Sequence, residues 1–404
     1  MTGKRLLGPT LFLFLLLFLL PALGETADIT SAAVFSGKNK SDCYRMSDDN
    51  YRTVWKSGKG SSAYLEVTLP EDRPCGTVYI QWYGEPMAFR VLVPKDGGWT
   101  VLCRKTEAYY SSALTFPVPS AHFRICPADD GAGTMSVAEI RLYAPGPLPE
   151  NVQVWLPTVE KADLMLVSCH PDDEVLWFGG ALATYAGERQ KDVVVCLMVP
   201  TSAHRRLEFL DSLWTCGVRT YPVFGTLTDL YSTSLKAQYT LWSEQKCLKT
   251  VTGWFRRFQP SVVLSHDIHG EYGHGGHRVC ADICIKALKT AADAGSFPES
   301  ALEWGTWDVP KLYLHLYEGG AITMPWDTPL EHFGGKTGLE VAKEAFKCHI
   351  SQQSTHYAVN ADGRYACTRF GLYRSLVGDD EMQNDFFEHL DPGYCPFEVV
   401  DDED

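Results

Sequence analysis

Two polar clusters, each at the end of a short apolar run, constrain this chain more than any other feature. Leu164-Met165-Leu166-Val167 leads into Ser168-Cys169-His170-Pro171-Asp172-Asp173-Glu174. Val262-Val263-Leu264 leads into His266-Asp267-Ile268-His269-Gly270-Glu271-Tyr272-Gly273-His274-Gly275-Gly276-His277. Apolar runs of that length predict buried strands. In an open α/β sheet, ligands gather beyond the carboxyl ends of the strands, so two strand tips bearing His and Asp predict one shared metal ion. Three protein ligands with an open position is the arrangement of a catalytic zinc site, which makes a hydrolase the first expectation. The surrounding rhythm agrees. Strand-length runs at Leu164–Ser168, Val193–Val199, Ser261–Ser265 and Leu312–Leu316 alternate with helical stretches at Trp177–Arg189, His204–Cys216, Leu241–Phe258 and His277–Ala292. That alternation predicts βαβ units and a mainly parallel sheet.

The first third of the chain follows another period. Tyr64–Leu69, and more loosely Thr77–Trp82 and Phe89–Val93, alternate apolar with polar residues between Gly- and Pro-rich breaks. Many short strands of this kind predict an all-β sandwich or jelly roll from about Asp28 to Tyr143. Ala144-Pro145-Gly146-Pro147-Leu148-Pro149 continues neither strand nor helix. The expected division is a leader at 1–24, a β-domain at 25–144, a linker at 145–155 and an α/β domain with a C-terminal extension at 156–404.

The leader reads as a secretory signal: Lys4 and Arg5, the apolar stretch Leu11–Leu20, then small residues up to Gly24. Its apolar core is too short for a membrane span, and no later segment is long and apolar enough to cross one. A secreted or cell-surface protein is therefore expected. In that compartment thirteen cysteines predict disulfides, with Cys43, Cys75, Cys103 and Cys126 in the β-domain and Cys367 and Cys395 able to close a loop near the end. A formal charge of −14 argues against a nucleic-acid partner, which needs a basic footprint. Oligomeric state is not legible.

Adjacent aspartates on a tight turn suit hydrolysis, one facing the metal and its neighbour facing the substrate, with Pro171 fixing the turn. His274 and His277 stand three apart at a helix start and so share a face. Glu174 has two readings, a first-turn carboxylate complementing the helix dipole or a support for the site. His266 and His269 read as loop or supporting residues. Cys169 should point to the opposite side of its strand.

Residues from about Asp163 to Gln352 resemble the PIG-L/LmbE-like zinc de-N-acetylases. The resemblance is carried by His170-Pro171-Asp172-Asp173-Glu174 and by Gly270-Glu271-Tyr272-Gly273-His274-x-x-His277, and more weakly by Arg205-Arg206-Leu207-Glu208 and His349-Ile350-Ser351-Gln352. It implies a Rossmann-like α/β fold and one zinc ion, with acetyl removed from N-acetylglucosamine-type amides. It also implies roles: His170, Asp173 and His277 as metal ligands, and Asp172 as the base. His274 would stabilise the oxyanion as an imidazolium or protonate the leaving amine. Arg205 is either a substrate contact or a helix residue paired with Glu208. Relatives place Pro-Asp where this chain has Gly275-Gly276, which predicts a more flexible loop and a different pocket rim.

Asp48-Asp49-Asn50-x-x-Thr53-x-Trp55-x-Ser57, Tyr64–Leu69 and Ala138-Glu139-Ile140-Arg141-Leu142-Tyr143 resemble a discoidin, or galactose-binding-like, domain. This implies sugar binding and a structural calcium at Asp48, Asp49 and Asn50, which would serve equally as a plain turn. Trp82, Tyr83 and Trp99 are either sugar-stacking or core aromatics. The expectation is a secreted, zinc-dependent carbohydrate de-N-acetylase acting on a glycan. A metal amidohydrolase of another acyl amide, or a non-catalytic carbohydrate-binding protein, stands as the alternative.

Overall fold

The computed structural model describes residues 26–129 and 133–390, so the expected leader and Cys395 lie outside the described residues. Among the described residues the front part holds nine strands: β1 Val34–Gly37, β2 Trp55–Lys56, β3 Leu65–Thr68, β4 Cys75–Trp82, β5 Phe89–Lys95, β6 Gly98–Lys105, β7 Ser111–Ser120, β8 His122–Pro127 and β9 Ser136–Tyr143. They form two antiparallel sheets, ordered β1-β3-β8-β5-β6 and β2-β9-β4-β7. Leu65 and Val67 of the first sheet and Val78, Ile80 and Ile140 of the second belong to one apolar core.

β4 departs from the expected half-buried alternation, because all eight of its residues are buried. Its inner face supplies Val78 and Ile80 to the sandwich core, and its outer face is covered as well. Tyr79 packs with Val152 and Leu148 of the connecting segment, and Gln81 donates to the Tyr51 hydroxyl, which donates to Asp211 of the second part at 2.8 Å each. Residues 145–155 contain no regular element, yet Val152, Gln153 and Trp155 are buried at this junction.

Cys43, Cys75 and Cys103 carry free thiols, which corrects the expected disulfides of the front part. Cys43 and Cys75 serve instead as small core residues. Cys367 is likewise a buried free thiol. At the acidic turn the oxygens already have protein donors. Asp48 accepts from the Thr53 hydroxyl at 3.0 Å, Asn50 Oδ1 from the Arg52 amide at 3.1 Å, and Asp49 pairs with the Arg141 guanidinium. These contacts brace the turn within the protein, with Arg141 as a neighbouring cationic group.

The second part is a seven-stranded sheet ordered β12-β11-β10-β13-β14-β16-β15. The strands are β10 Leu164–Ser168, β11 Val193–Leu197, β12 Val223–Phe224, β13 Val262–Ser265, β14 Lys311–His315, β15 Ala321–Thr323 and β16 Arg369–Ser375. β12 to β14 run parallel across the first five positions, and β16 and β15 close the sheet antiparallel. Every residue of β10, β11, β13 and β14 is buried, as expected of parallel strands covered on both faces.

The helices are α1 Asp173–Leu176, α2 Gly179–Leu182, α3 Ala203–Thr215, α4 Leu235–Leu241, α5 Glu244–Phe258, α6 Gly275–Ala292, α7 Pro298–Trp304 and α8 Gly338–Phe346. The expected Leu241–Phe258 helix is present but starts at Glu244, because Ser243 caps α5, accepting from the Lys246 amide, while Trp242 takes an extended conformation and donates its indole N–H to Thr228 O at 2.9 Å. One expected helix is interrupted. The Trp177–Arg189 stretch becomes α2 followed by a π-helical turn at Ala183–Glu188. No helix among the described residues is long and apolar enough to cross a membrane.

Candidate metal-dependent active site

β10 and β13 are parallel neighbours, with Leu166 opposite Leu264. The chain builds outward from β10 through β11 and β12, then returns to place β13 and β14 on the other side. The crevice between the tips of β10 and β13 is therefore the switch point at which an open α/β sheet binds its ligands. Both polar clusters emerge there.

The first cluster is a turn running into α1. Asp173 begins the helix, and its Oδ2 accepts from the His170 amide at 2.9 Å. Asp172 precedes it with φ at 122°, a conformation that costs an L-residue energy and persists only when its surroundings enforce it. The Asp172 amide donates to Glu174 Oε2 at 2.8 Å, and Arg205 Nη2 donates to Pro171 O and lies 3.1 Å from Asp172 Oδ2. Glu174 is fully buried and also accepts from the Ser212 hydroxyl and from His349 Nε2, both at 2.6 Å. Of its two readings, the structure shows the support. Glu208 accepts from the Ser351 amide and hydroxyl, so it is not the partner of Arg205.

The second cluster meets the first at Asp173. Its Oδ2 stands 3.3 Å from His170 Nδ1 and 3.2 Å from His277 Nε2. Ligand atoms at ~2.1 Å from a tetrahedral ion are about 3.4 Å apart, so this spacing fits one. His277 Nε2 is buried without a hydrogen-bond partner, while Nδ1 faces Glu271 Oε2 at 2.8 Å. A buried ring nitrogen aimed at two other donor atoms is what a metal satisfies. Burial works against charge here, yet Asp173 and Glu271 hold the His277 imidazole well above the usual histidine range. A divalent cation competes with that proton for the same nitrogen.

Cys169 does not point away from the site as expected. β10 ends at Ser168, so strand alternation stops there, and the thiol lies 3.6 Å from His170 Nε2 within the same cluster. Burial and the neighbouring Cys280 push it well above the usual thiol range, which leaves it protonated and a poor nucleophile.

Asp172 and His274 flank the trio. Burial and Asp173 push the Asp172 carboxyl up to about 7, with Arg205 pulling it down. His274 caps α6, its Nδ1 accepting from the Gly276 amide at 3.0 Å. Burial, then His277 and His170, lower it to about 3, which favours a neutral ring with its proton on Nε2. Gly275 and Gly276 are buried in the first turn of α6 rather than a flexible loop. A Cβ on Gly275 would lie 2.2 Å from Ser232 Oγ, and one on Gly276 2.8 Å from Cys169 Sγ. A larger residue at either position would force these neighbours to move.

Sequence reasoning missed the residue that orients the site. Fully buried Glu271 accepts from His266 Nδ1 at 2.9 Å and His277 Nδ1 at 2.8 Å through Oε2, and from His315 Nδ1 at 2.7 Å through Oε1. His266 Nε2 in turn accepts from the Cys169 amide at 3.0 Å, joining the two strand tips. His315 closes β14, the next strand over, and that position at a third strand end was its available signal. His269 takes no part in the trio and lies in the loop after β13. Aromatic rings border the opening. Tyr231, 64% exposed, lies 5.0 Å from His274, and Tyr272 lies 5.3 Å from His277 and stacks on Tyr357.

Fold and donor set together define an α/β protein with a buried His-Asp-His metal-binding centre beside a second carboxylate. Residues 165–288 match the PIG-L family, described as GlcNAc-PI de-N-acetylase. The chain is 26% identical over 178 residues to a 1D-myo-inositol 2-acetamido-2-deoxy-alpha-D-glucopyranoside deacetylase 1 from Catenulispora acidiphila, covering 37% of this chain and 54% of that protein. It is 28% identical over 180 residues to the corresponding deacetylase 2 of Frankia casuarinae, covering 37% and 56%. The chain thus spans little more than half the length of these relatives. Among solved structures, N,N'-diacetylchitobiose deacetylase from Pyrococcus horikoshii is similar at 20% identity over 47% of this chain and 71% of that one, with a TM-score of 0.36, a likeness too loose to argue from.

Proposed function

We propose that this chain is a secreted, zinc-dependent hydrolase that removes acetyl from N-acetylhexosamine sugars, releasing acetate and a free amine. The observation that carries the reading is the convergence of His170, Asp173 and His277 on one point, with Asp172 at its edge. The matched family and the relatives' names support the amide chemistry, and the leader composition supports secretion.

His170, Asp173 and His277 would hold the ion, which supplies Lewis acidity that acidifies water and polarises an amide carbonyl. Asp172 accepts the proton of the attacking water and, once protonated, returns it to the departing nitrogen. Arg205 holds its carboxyl, and Glu174 holds its backbone amide. The neutral His274 donates from Nε2 to the carbonyl oxygen as negative charge gathers there. Of the two duties expected of His274, only this one suits a neutral ring. Arg205 acts through Asp172 as a positioning residue.

Acetate release from N-acetylglucosamine oligosaccharides is the direct test. Activity should vanish on chelation and return with zinc, and Asp172→Asn should lower kcat by about 10²–10⁴-fold while zinc content stays stoichiometric. Undiminished turnover in that variant removes Asp172 as the base.

A further inference from the structure

Beside the proposed catalytic crevice lies a second cavity of ≈ 710 Å³, within the size range of small-ligand pockets. It is bounded by the loop that leads into His274, by the segment after β14 and by the start of β16. Three arginines line it: Arg278, Arg364 and Arg369. Such a concentration is unexpected in a chain with a formal charge of −14.

None of the three forms an ion pair among the described residues. Arg278 directly follows the candidate ligand His277, and its buried Nε has no hydrogen-bond partner. Its side chain crosses the loop over two glycines in left-handed conformations. A Cβ on Gly270 would lie 3.0 Å from Arg278 Cγ, and one on Gly273 3.8 Å from its Nη2. The glycines make the cradle through which this guanidinium reaches the cavity. Arg369 Nη2 donates to Gly363 O at 2.6 Å and Arg364 O at 3.0 Å, bracing the loop that carries Arg364. Arg364 is exposed and lies 5.2 Å from the Tyr365 ring, which faces Tyr272 at the catalytic opening. The opposing carboxylates are Glu318, which is exposed, and Asp267, which accepts from the His269 amide and is raised by burial. Guanidinium groups without carboxylate partners favour an oxyanion, which they bind through paired N–H donors.

We infer that this cavity receives the anionic group of an acidic glycan, a sulfate ester or a uronate carboxylate carried next to the N-acetylated sugar. The inference rests on the reading of the crevice as a carbohydrate de-N-acetylase and specifies its substrate class.

Binding, measured without turnover, separates the two. Calorimetry on the full-length Asp172→Asn protein with zinc bound would compare a neutral N-acetylglucosamine oligosaccharide with the same backbone bearing sulfate and with one bearing uronate. At least one charged form should bind about tenfold more tightly than the neutral one. Arg278→Gln and Arg364→Gln should each erase most of that difference. The advantage should also shrink as salt rises. Equal affinities for charged and neutral sugars, absence of binding by all three, or a preference that survives both substitutions would overturn the inference. Failure of deacetylation in the native protein alongside charge-selective binding would instead count against the catalytic reading alone.

Discussion

Glu271 accepts hydrogen bonds from three imidazoles and the Asp267 amide while remaining inaccessible to water. Carboxylates behind metal-binding histidines set ring orientation, and their loss usually costs metal affinity 10–100-fold. Glu271→Gln should therefore weaken zinc binding by about one to two orders of magnitude in competition with a chromogenic chelator, and unchanged affinity would remove Glu271 from the orienting role. Arg205 gives a second expectation. The proposed base Asp172 would act in its ionised form, which Arg205 favours. Arg205→Gln should raise the Asp172 pKa and move the acid limb of the kcat/KM profile to higher pH. An unmoved limb would show that the pair at 3.1 Å does not govern the titration. The two polar clusters were legible because they fall at strand ends, and the resemblance to the PIG-L/LmbE-like family singled out the trio and Asp172 within them. The role of Glu271 was not legible. A buried glutamate leaves no trace in hydrophobic periodicity, and its worth depends on His266 and His315 arriving from other strands.

At the level of elements, the start of α6 shows how closely the crevice is packed. The turn bearing Gly275 and Gly276 lies against Ser232 on one side and Cys169 and Trp242 on the other. Gly276→Ala would place its methyl 2.8 Å from Cys169 Sγ and 2.9 Å from the Trp242 ring. Overpacking of this kind costs about 1–3 kcal/mol, visible as a lowered denaturation midpoint, and an unchanged midpoint would mean that the turn can yield. The parallel strands were legible because each is a continuous apolar run buried on both faces. The start of α5 at Glu244 was not, since the expected helix reached back to Leu241. What sets the start is the Ser243 cap, with the Trp242 indole tied to Thr228 O in the preceding loop. β16 escaped notice because Gly371 and the flanking Arg369 and Arg374 interrupt its short apolar run, and its pairing with β14 and β15 depends on distant segments.

Across the whole molecule, the two parts meet through a polar junction centred on Asp211, which accepts from the Tyr51 hydroxyl at 2.8 Å and from Gln153 Nε2 at 2.5 Å. A cavity of ≈ 1220 Å³ opens beside it, away from the metal-binding residues. Burial pushes the Asp211 carboxyl up to about 7, with Tyr51 and Gln153 opposing. The folded state then binds a proton that the unfolded chain, with its ordinary carboxylate near ~3.9, has released. Between these limits stability falls as pH rises. Asp211→Asn should flatten that dependence, so the melting-temperature gap between native and variant proteins should shift in favour of the variant from pH 5 to pH 8. A gap independent of pH would show that Asp211 does not titrate in this window. β4 carries the other side of the same junction. Because every one of its residues is shielded, cutting the chain after Tyr143 would strip Val152 and Leu148 from Tyr79, take Asp211 from the Tyr51 hydroxyl and bare a wettable yet sticky stripe across the sheet. A severed amino-terminal half would then report its own clumping before any taste for sugars, and the two halves are best studied joined.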